Sequence, residues 1–415
     1  MSDSDRAVII GGGIIGGCTA YYLSRKGWDV TLVEKDQFGR GASWGNCGLI
    51  VSTHLLPLNT PANLKTGLKW MFKKNAPLYI RPSMDIQRLS WLLRFAGNCH
   101  PGAIRQSTFG MAALLQPAVS LYEELIELEG ISCDWDRQGA LHLFETERDL
   151  RDFAAVDEVA RRFGLGAQML DTKALLEMEP ALDNRLAGGW FDPFVAQIRP
   201  DRFMTALKHV LQRHGVHVIE NCRFDSFHSE SKRAVSAVTS KGIIDGDTFV
   251  VAAGAWTPRL NRVLGVRIPI QPGKGYSVTF PNADFLPTKP CFFENVRVVA
   301  TRWNSGFRLG GTMEFSGYDE HLNRRRIGAL STSASEYLRG FNTTEVEEEW
   351  YGWRPMTTDG LPVIDRPPGF DNVMIAAGHN MLGLTLGPVT GKLVAELLSG
   401  DPPHVDPAPY SISRF

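Results

Sequence analysis

Ala7-Val8-Ile9-Ile10-Gly11-Gly12-Gly13-Ile14-Ile15-Gly16 is an apolar run that breaks abruptly into glycine. Four consecutive apolar residues read as a buried strand, and the glycines after them have separate duties. Gly11 permits a tight turn, Gly13 removes a side chain that would block a pyrophosphate, and Gly16 lets the next helix lie close on a sheet. Ile14, Cys18, Tyr22 and Leu23 recur at helical spacing until Gly27, and Trp28 to Val33 resumes as a strand. Together these elements make a phosphate site at a helix N-terminus, where free N–H groups and the macrodipole favour negative charge. Glu34 closes the unit. A carboxylate there accepts hydrogen bonds from an adenosine ribose and repels a 2′-phosphate, so FAD and NAD both fit and NADP is disfavoured.

Bulk properties narrow the rest. At 415 residues the chain exceeds what one core comfortably supports, which predicts two domains. Lys and Arg number 44 against 45 Asp and Glu, so there is no general pull toward nucleic acid or acidic lipid. Cys18, Cys47, Cys99, Cys133, Cys222 and Cys291 are scattered, without CxxC spacing or neighbouring histidines. Neither a disulfide framework nor a metal site is expected, and a reducing compartment suits the pattern. The acidic start Met1 to Arg6, with a core strand immediately after it, leaves no room for a signal peptide. No apolar run reaches the roughly 18 residues that suggest a span, so the expectation is a cytoplasmic protein.

After Glu34, Gly39 to Gly48 is a loop of small residues that lets backbone approach a flat ligand. Within it Gly41-Ala42-Ser43-Trp44-Gly45 matches a hydrolase GxSxG, but the turn residues from Asp36 to Arg40 stand where that motif needs a strand. Asn63 to Lys74 puts Leu64, Leu68 and Phe72 on one helical face beside Lys65, Lys69 and Lys73. That is the ordinary design of a surface helix and also of one lying on a membrane. Further helices are predicted over Asp85 to Cys99, Met111 to Glu129 and Thr146 to Phe163, with Ala140 to Phe144 a strand, as a separate unit grafted into the nucleotide-binding one. The α/β pattern returns with a helix from Phe203 to Gly215 and a strand from Val216 to Glu220. Ala234 to Thr239 and Thr248 to Ala252 are predicted to pair as a hairpin, and Ala253-Gly254-Ala255-Trp256 is a small-residue turn. His209, His214 and His217 straddle a helix end and a strand start and read as solvated. Ile268 to Ala283 and Val296 to Met313 read as antiparallel strands.

Val373 to Ala377 is a strand, Gly378 to Gly387 a glycine-spaced loop, and Pro388 and Gly400 bracket a final helix. Its N-terminus is a second site of positive potential. With one complete GxGxxG unit only, electrons have no bound nicotinamide to come from and must come from the substrate. FAD satisfies both poles, with its pyrophosphate on the first helix and the edge of the ring that gains charge on reduction at the last.

On the opening fingerprint, Ser43 to Gly48, the segment Gly352-Trp353-Arg354-Pro355-Met356-Thr357-Thr358-Asp359-Gly360-Leu361-Pro362, and Gly378-His379 through Gly391, the chain resembles the FAD-dependent D-amino acid oxidase and dehydrogenase superfamily. In detail it looks most like bacterial D-amino acid dehydrogenases, including those acting on D-proline and D-hydroxyproline. The resemblance implies an α/β fold: a Rossmann-like FAD domain of the p-hydroxybenzoate hydroxylase type with an interleaved substrate domain of antiparallel sheet and helices. The implied division is 1–52, 195–262 and 350–400 for FAD, 53–194 and 263–349 for substrate, and 401–415 as a tail. It assigns to FAD the positions Gly11, Gly13, Ile14, Ile15, Gly16, Glu34, Lys35, Ser43, Asn46, Gly48, Leu49 and Val218. Ala253, Gly254, Trp256, Gly378, His379, Met381, Leu382, Gly383, Leu384 and Thr385 join them.

Arg354 corresponds to the carboxylate anchor of relatives, and a guanidinium fork that stays charged suits that work; the alternative is a pairing with an acid among Glu345 to Glu349. Tyr276, His54, Met313 and Met381 are the other pocket residues implied. Met381 stands where glycine oxidases carry a second arginine, which points away from glycine and sarcosine. Gly45 occupies the histidine position of covalent flavoproteins and no Cys is near Arg354 in sequence, so noncovalent FAD is expected. The implied reaction is hydride transfer from the Cα of an amino acid to flavin N5, with electrons passed to a quinone or an electron-transfer protein. An oxidase of glycine or sarcosine type is the alternative within enzymes, and an RNA-directed flavin module the alternative outside them. The latter needs a basic stripe, for which only Arg324-Arg325-Arg326 offers. No nucleic-acid partner is expected, and peripheral contact with the cytoplasmic face of an inner membrane is left open.

Overall fold

Ala7 and Ile9 pack into one hydrophobic cluster, Val8 and Ile10 into another, and all four are buried. The opening strand Arg6–Ile10 therefore lies in the middle of a sheet covered on both faces, as an unbroken apolar run requires. The computed structural model describes residues 5–70, 76–82, 84–281, 286–341 and 345–415. The sheet has six strands in the order Val363–Asp365, Val373–Ala377, Thr248–Val251, Arg6–Ile10, Asp29–Val33, His217–Ile219. All neighbours are parallel except the first pair. Helices Ile14–Arg25, Pro200–Arg213 and Gly387–Ser399 lie on one face, and the small sheet Phe224–Glu230, Arg233–Thr239, Gly242–Asp245 helps cover the other.

The expected pairing of Ala234–Thr239 with Thr248–Ala252 is corrected here. Arg233–Thr239 turns back onto Gly242–Asp245, whereas Thr248–Val251 inserts beside the opening strand. Phe249, Val250 and Val251 are fully buried, and only a central position in the larger sheet covers both their faces.

A second, mixed sheet runs Glu348–Met356, Gln271–Phe280, Gly306–Phe315, Val298–Trp303, Cys291–Phe293, Ala140–Phe144, Gly188–Asp192, Gln168–Asp171, with Leu78–Ile80 added to Gly306–Phe315. Glu348–Met356 is hydrogen-bonded along its length to Gln271–Phe280, so the strand carrying Arg354 belongs to this sheet, and the boundary expected at 350 moves toward the C-terminus. A converse shift applies to the helices at 101–129. Met111, Leu114, Leu121 and Tyr122 pack into the same cluster as Ile9, Ile14 and Val389, which places them in the nucleotide-binding layer. The single helix expected over Met111 to Glu129 is two, Pro101–Leu115 and Ala118–Glu129, because Pro117 cannot continue the first. The stretch from Thr146 is likewise two short helices, Glu147–Asp152 and Ala154–Arg161, opened by the Thr146 hydroxyl accepting from the Asp149 N–H.

The expected tail is packed. Tyr410 is fully buried and donates to Gly110 O at 2.7 Å, and Arg414 Nε donates to Asp359 Oδ2 at 2.7 Å. The basic amphipathic helix is observed as Pro61–Trp70; Phe72 and Lys73 lie outside the described residues. Among the described residues no helix is long and apolar enough to cross a membrane.

Candidate active site

Helices Ile14–Arg25 and Gly387–Ser399 meet at their N-terminal ends. A Cβ on Gly387 would fall 2.5 Å from Ile14 Cγ1, and one on Gly391 2.5 Å from the backbone of Cys18, so glycine alone allows this approach. Neither helix is capped by the side chain of its own N-cap residue, and neither has an acidic residue in its first turn. Both positive ends therefore serve one cavity of about 1810 Å³, lined by Gly11, Gly13, Ile14 and Ile15 on one side and by His379 and Met381 to Thr385 on the other. Ligand pockets for small molecules usually occupy about 300–1,000 Å³, so this one has room for a dinucleotide and a second small molecule.

Loop residues are held by partners far away in sequence. The Ser43 hydroxyl accepts from the Ile14 N–H at 3.0 Å, which spends the serine of the apparent GxSxG on a helix start. Arg308, which the sequence did not single out, is fully buried and donates to Trp44 O and Asn46 O, both at 2.8 Å, and to Thr279 Oγ1 at 2.8 Å. Trp350 lies so flat on Gly45 that a Cβ there would sit 2.0 Å from its ring. Thr385 Oγ1 donates to Leu49 O at 3.2 Å and accepts from the Val51 N–H at 3.3 Å, tying the C-terminal loop to the strand Leu49–Val51. His379 bonds Thr390 Oγ1 at 3.0 Å, and burial pushes its imidazole down to about 3, so it is neutral.

Glu34 faces the cavity with its carboxylate already built into the turn: Oε2 accepts from the Gly12 N–H at 2.7 Å and Oε1 from the Asp36 N–H at 2.9 Å. Burial raises its proton affinity, against these two bonds. Each oxygen keeps a lone pair for a ribose hydroxyl. The Lys35 ammonium lies 4.4 Å from the Trp256 ring, and both line the same end of the cavity with Ala253 and Gly254. Asn46 and Leu49 also line it.

Four expected cofactor contacts are corrected. Gly16, Gly48, Val218 and Gly378 do not line the cavity. A Cβ would meet Gly11 O at 1.9 Å from Gly16, Ile198 O at 2.0 Å from Gly48 and Thr357 Cγ2 at 2.6 Å from Gly378, so these glycines serve chain packing. Val218 is paired opposite Leu32 and shares its helix-covered face, while Cys222, Arg223 and Phe224 just beyond reach the cavity.

Arg354 stands half-buried on the cavity wall, and desolvation by the protein around it lowers its proton affinity. Its Nη1 donates to Thr312 O at 2.8 Å, and among the described residues no carboxylate pairs with it. Of the acids that were the alternative, Glu347 pairs with Arg199, Glu348 with Arg308 and Glu349 with Arg324. Strand alternation explains the room it has. Gly273 and Gly275 share its face, and a Cβ on Gly275 would fall 2.0 Å from Arg354 Nη1, one on Gly273 2.4 Å from Met313 Sδ. Thr312, at φ 59°, is a β-branched residue in the left-handed region beside a register shift in the ladder. That strained turn aims its carbonyl at Arg354 and puts Met313 in the cavity wall.

Tyr276 is among the residues lining the cavity, but its hydroxyl is engaged by another side chain. Its ring lies on the strand face opposite Arg354, and its hydroxyl donates to Glu314 Oε2 at 3.1 Å. His54 lines the cavity, edge-on to Phe292 at 5.3 Å, and burial with His142 nearby pushes it down to about 4. Cys47, distant from Arg354 in sequence, comes within electrostatic range of it; burial pushes that thiol up. The Arg324-Arg325-Arg326 cluster makes no stripe, since Arg324 pairs with Glu349 and Arg326 with Glu314.

Comparison with known proteins agrees with this geometry. Residues 6–397 match the protein family described as FAD dependent oxidoreductase. A D-amino acid dehydrogenase of Rhizorhabdus wittichii is 32% identical over 99% of this chain and 100% of its own length. One from Granulibacter bethesdensis is 30% identical over 99% of each chain. Among solved structures, glycine oxidase from Geobacillus kaustophilus superposes with a TM-score of 0.78 at 25% identity over 99% of this chain and 100% of its own. L-proline dehydrogenase from P. horikoshii gives 0.77 at 21% identity over 100% and 99%, a likeness of fold.

Proposed function

The chain belongs to the family of FAD-dependent oxidoreductases, and we propose that within it the protein is a D-amino acid dehydrogenase, with D-proline and hydroxy-D-proline among its candidate substrates. The observation that carries this reading is Arg354: a half-buried guanidinium on the cavity wall with no carboxylate partner among the described residues. A partly desolvated cation facing a cavity without an anion favours an anionic ligand, and a substrate carboxylate supplies that charge through a two-pronged hydrogen bond.

Gly13, Ile14 and Ile15 would hold the pyrophosphate of FAD, Glu34 its adenosine ribose, and the loop Met381 to Thr385 the polar edge of its ring, without a covalent bond. Bound FAD supplies the two-electron acceptor for the hydride that leaves Cα. Arg354 fixes the substrate carboxylate and so aligns the Cα–H bond. Met313 and Met381 give the side chain an apolar wall. His54 and His379, held neutral, add no positive charge to oppose the substrate amine. Alignment of this kind lowers a barrier by up to roughly 7–11 kcal/mol, so no acid–base pair is needed. The amine is received in neutral form, so loss of hydride from Cα leaves an iminium, which hydrolyses to a 2-oxo acid and ammonium, or opens to an amino-keto acid for a cyclic substrate. The electrons then pass to a quinone or another acceptor.

The likeness to a glycine oxidase favours an oxygen-using oxidase as the second reading. Met381 weighs against it, since an apolar side chain lines the cavity where a charged one would suit the smallest substrates. The test is anaerobic bleaching of the purified yellow protein with D- and L-amino acids, both hydroxyproline epimers, glycine and sarcosine. D-amino acids are expected to bleach it, and turnover with a dye or quinone to exceed turnover under air. Bleaching by L-amino acids alone, or by glycine and sarcosine alone, would discard the reading.

A further inference from the structure

Arg354 borders a part of the cavity whose wall is apolar throughout. Met356 follows it by two residues on the same strand and so shares its face of the sheet. Met313 arrives from another strand, with its Sδ 4.0 Å from Arg354 Nη1. Both methionines crowd the bare backbone of Gly273, where a Cβ would fall 2.4 Å from Met313 Sδ and 2.9 Å from Met356 Cγ. Helix Ile86–Gly97 closes the wall: Trp91 Nε1 donates to Met356 O at 3.0 Å, and its ring lies 5.2 Å from Phe95 and 5.3 Å from Phe315. Leu78 and Ile80 pack into the same cluster, and all of these side chains line the cavity.

The charges nearby are turned away from it. Among the described residues, Arg354 is the one charged side chain that lines the cavity from Leu78–Ile80, Ile86–Gly97, Gly306–Phe315 or Glu348–Met356. Arg88, on the helix that carries Trp91, is buried and donates to Phe315 O at 2.8 Å. Glu314, next to Met313, takes the Tyr276 hydroxyl and the Arg326 guanidinium. Acids that do reach the cavity, such as Asp192 and Glu294, come from other elements. A charged side chain entering beside Arg354 would therefore shed water and find no partner of opposite sign, apart from the anchor itself. An apolar one loses nothing, and methionine sulfurs and aromatic rings fit themselves to its shape. The indole N–H of Trp91 is already satisfied, which leaves its ring as apolar surface.

We propose that this chamber receives the side chain of the amino acid, and that the preferred substrates carry large apolar side chains: branched aliphatic, thioether or phenyl. The inference rests on the proposed function only for an amino acid held at Arg354, and it ranks D-proline and hydroxy-D-proline below those substrates. Two measurements on the FAD-loaded enzyme test it. In turnover with a dye, D-leucine, D-methionine and D-phenylalanine should exceed D-alanine and D-proline in kcat/KM by at least about tenfold, and D-glutamate and D-lysine should fall below D-alanine. Carboxylates with no amine to oxidise, read by the shift they impose on flavin absorbance, should tighten about fourfold per methylene from acetate to pentanoate, with glutarate weaker than pentanoate. Met313→Gln should lower the ratio of pentanoate to acetate affinity at least about fivefold. Trp91→Leu should lower the ratio of D-phenylalanine to D-leucine in kcat/KM. If the carboxylates rank as stated while L-amino acids alone reduce the flavin, the chamber stands and the D assignment falls. A flat carboxylate series, glutarate bound as tightly as pentanoate, a preference for D-proline, D-glutamate or D-lysine over D-leucine, or ratios unaltered in either variant would overturn the proposal.

Discussion

Arg354 shows how much one residue depends on the small ones around it. Its guanidinium occupies space that a Cβ on Gly275 would take, and its position is set by the carbonyl of a strained Thr312. Replacement by alanine removes a buried charge-assisted contact worth about 2–5 kcal/mol, so KM should rise between about 30-fold and several thousand-fold while FAD absorbance is retained. Lysine keeps the charge and loses the fork, and should recover only part of the loss. Steady-state kinetics on both variants decides this, and a near-normal KM in the alanine variant would take Arg354 out of the site. Arg308 makes the contrasting case: it touches no ligand in the proposed arrangement, yet it holds two carbonyls of the loop that lines the cavity. Arg308→Met should lower stability, at about 1–3 kcal/mol for each polar group left unpaired, and should weaken FAD retention more than it raises KM. Thermal unfolding and flavin fluorescence after gel filtration read the two effects.

At the scale of elements, the feature that matters is the approach of two helix N-termini. Gly391 lies against the Cys18 backbone, so Gly391→Ala must part helices Ile14–Arg25 and Gly387–Ser399. Overpacking against backbone costs roughly 1–3 kcal/mol. Because the displaced elements carry both poles of the cavity, the variant should lose FAD affinity as well as stability, and a titration of the apo form with FAD measures it. Unchanged affinity would mean that the two ends do not share one ligand. The strand Thr248–Val251 teaches a related lesson: a short apolar run can pair with its sequence neighbour or insert into a larger sheet, and burial on both faces favours insertion.

For the whole molecule, protons and cofactor both couple to folding. A histidine in an unfolded chain titrates near about 6.5, whereas burial holds His379 at about 3 and His54 at about 4. Below the unfolded value the unfolded state binds more protons, so stability is complete above about pH 6.5 and falls as pH drops toward the folded values. The slope approaches about 1.4 kcal/mol per pH unit for each such histidine. His379→Asn should therefore lose less stability than the wild type between about pH 6.5 and 4, as followed by urea unfolding; parallel losses would show that His379 is not held neutral. FAD, bound only to the native state, should add about 2.7 kcal/mol at a hundredfold excess over its Kd, visible as a higher midpoint for holo than apo protein.

The sequence by itself determined the nucleotide unit, because strand, glycine turn, helix and terminal carboxylate are contiguous and their physics is local: Arg6–Ile10, Ile14–Arg25 and Glu34 stand as read. It also determined the C-terminal loop and helix. Only the tertiary structure decided that Gly48 and Gly378 face other parts of the chain and not the cavity. It alone decided that the Tyr276 hydroxyl is engaged by Glu314, that Arg308 holds the loop from 264 residues away in sequence, and that Arg354 has no acid partner among the described residues. Spacing along a chain reports which residues share a face; which face meets a cavity depends on contacts between segments hundreds of residues apart, and no local pattern encodes those.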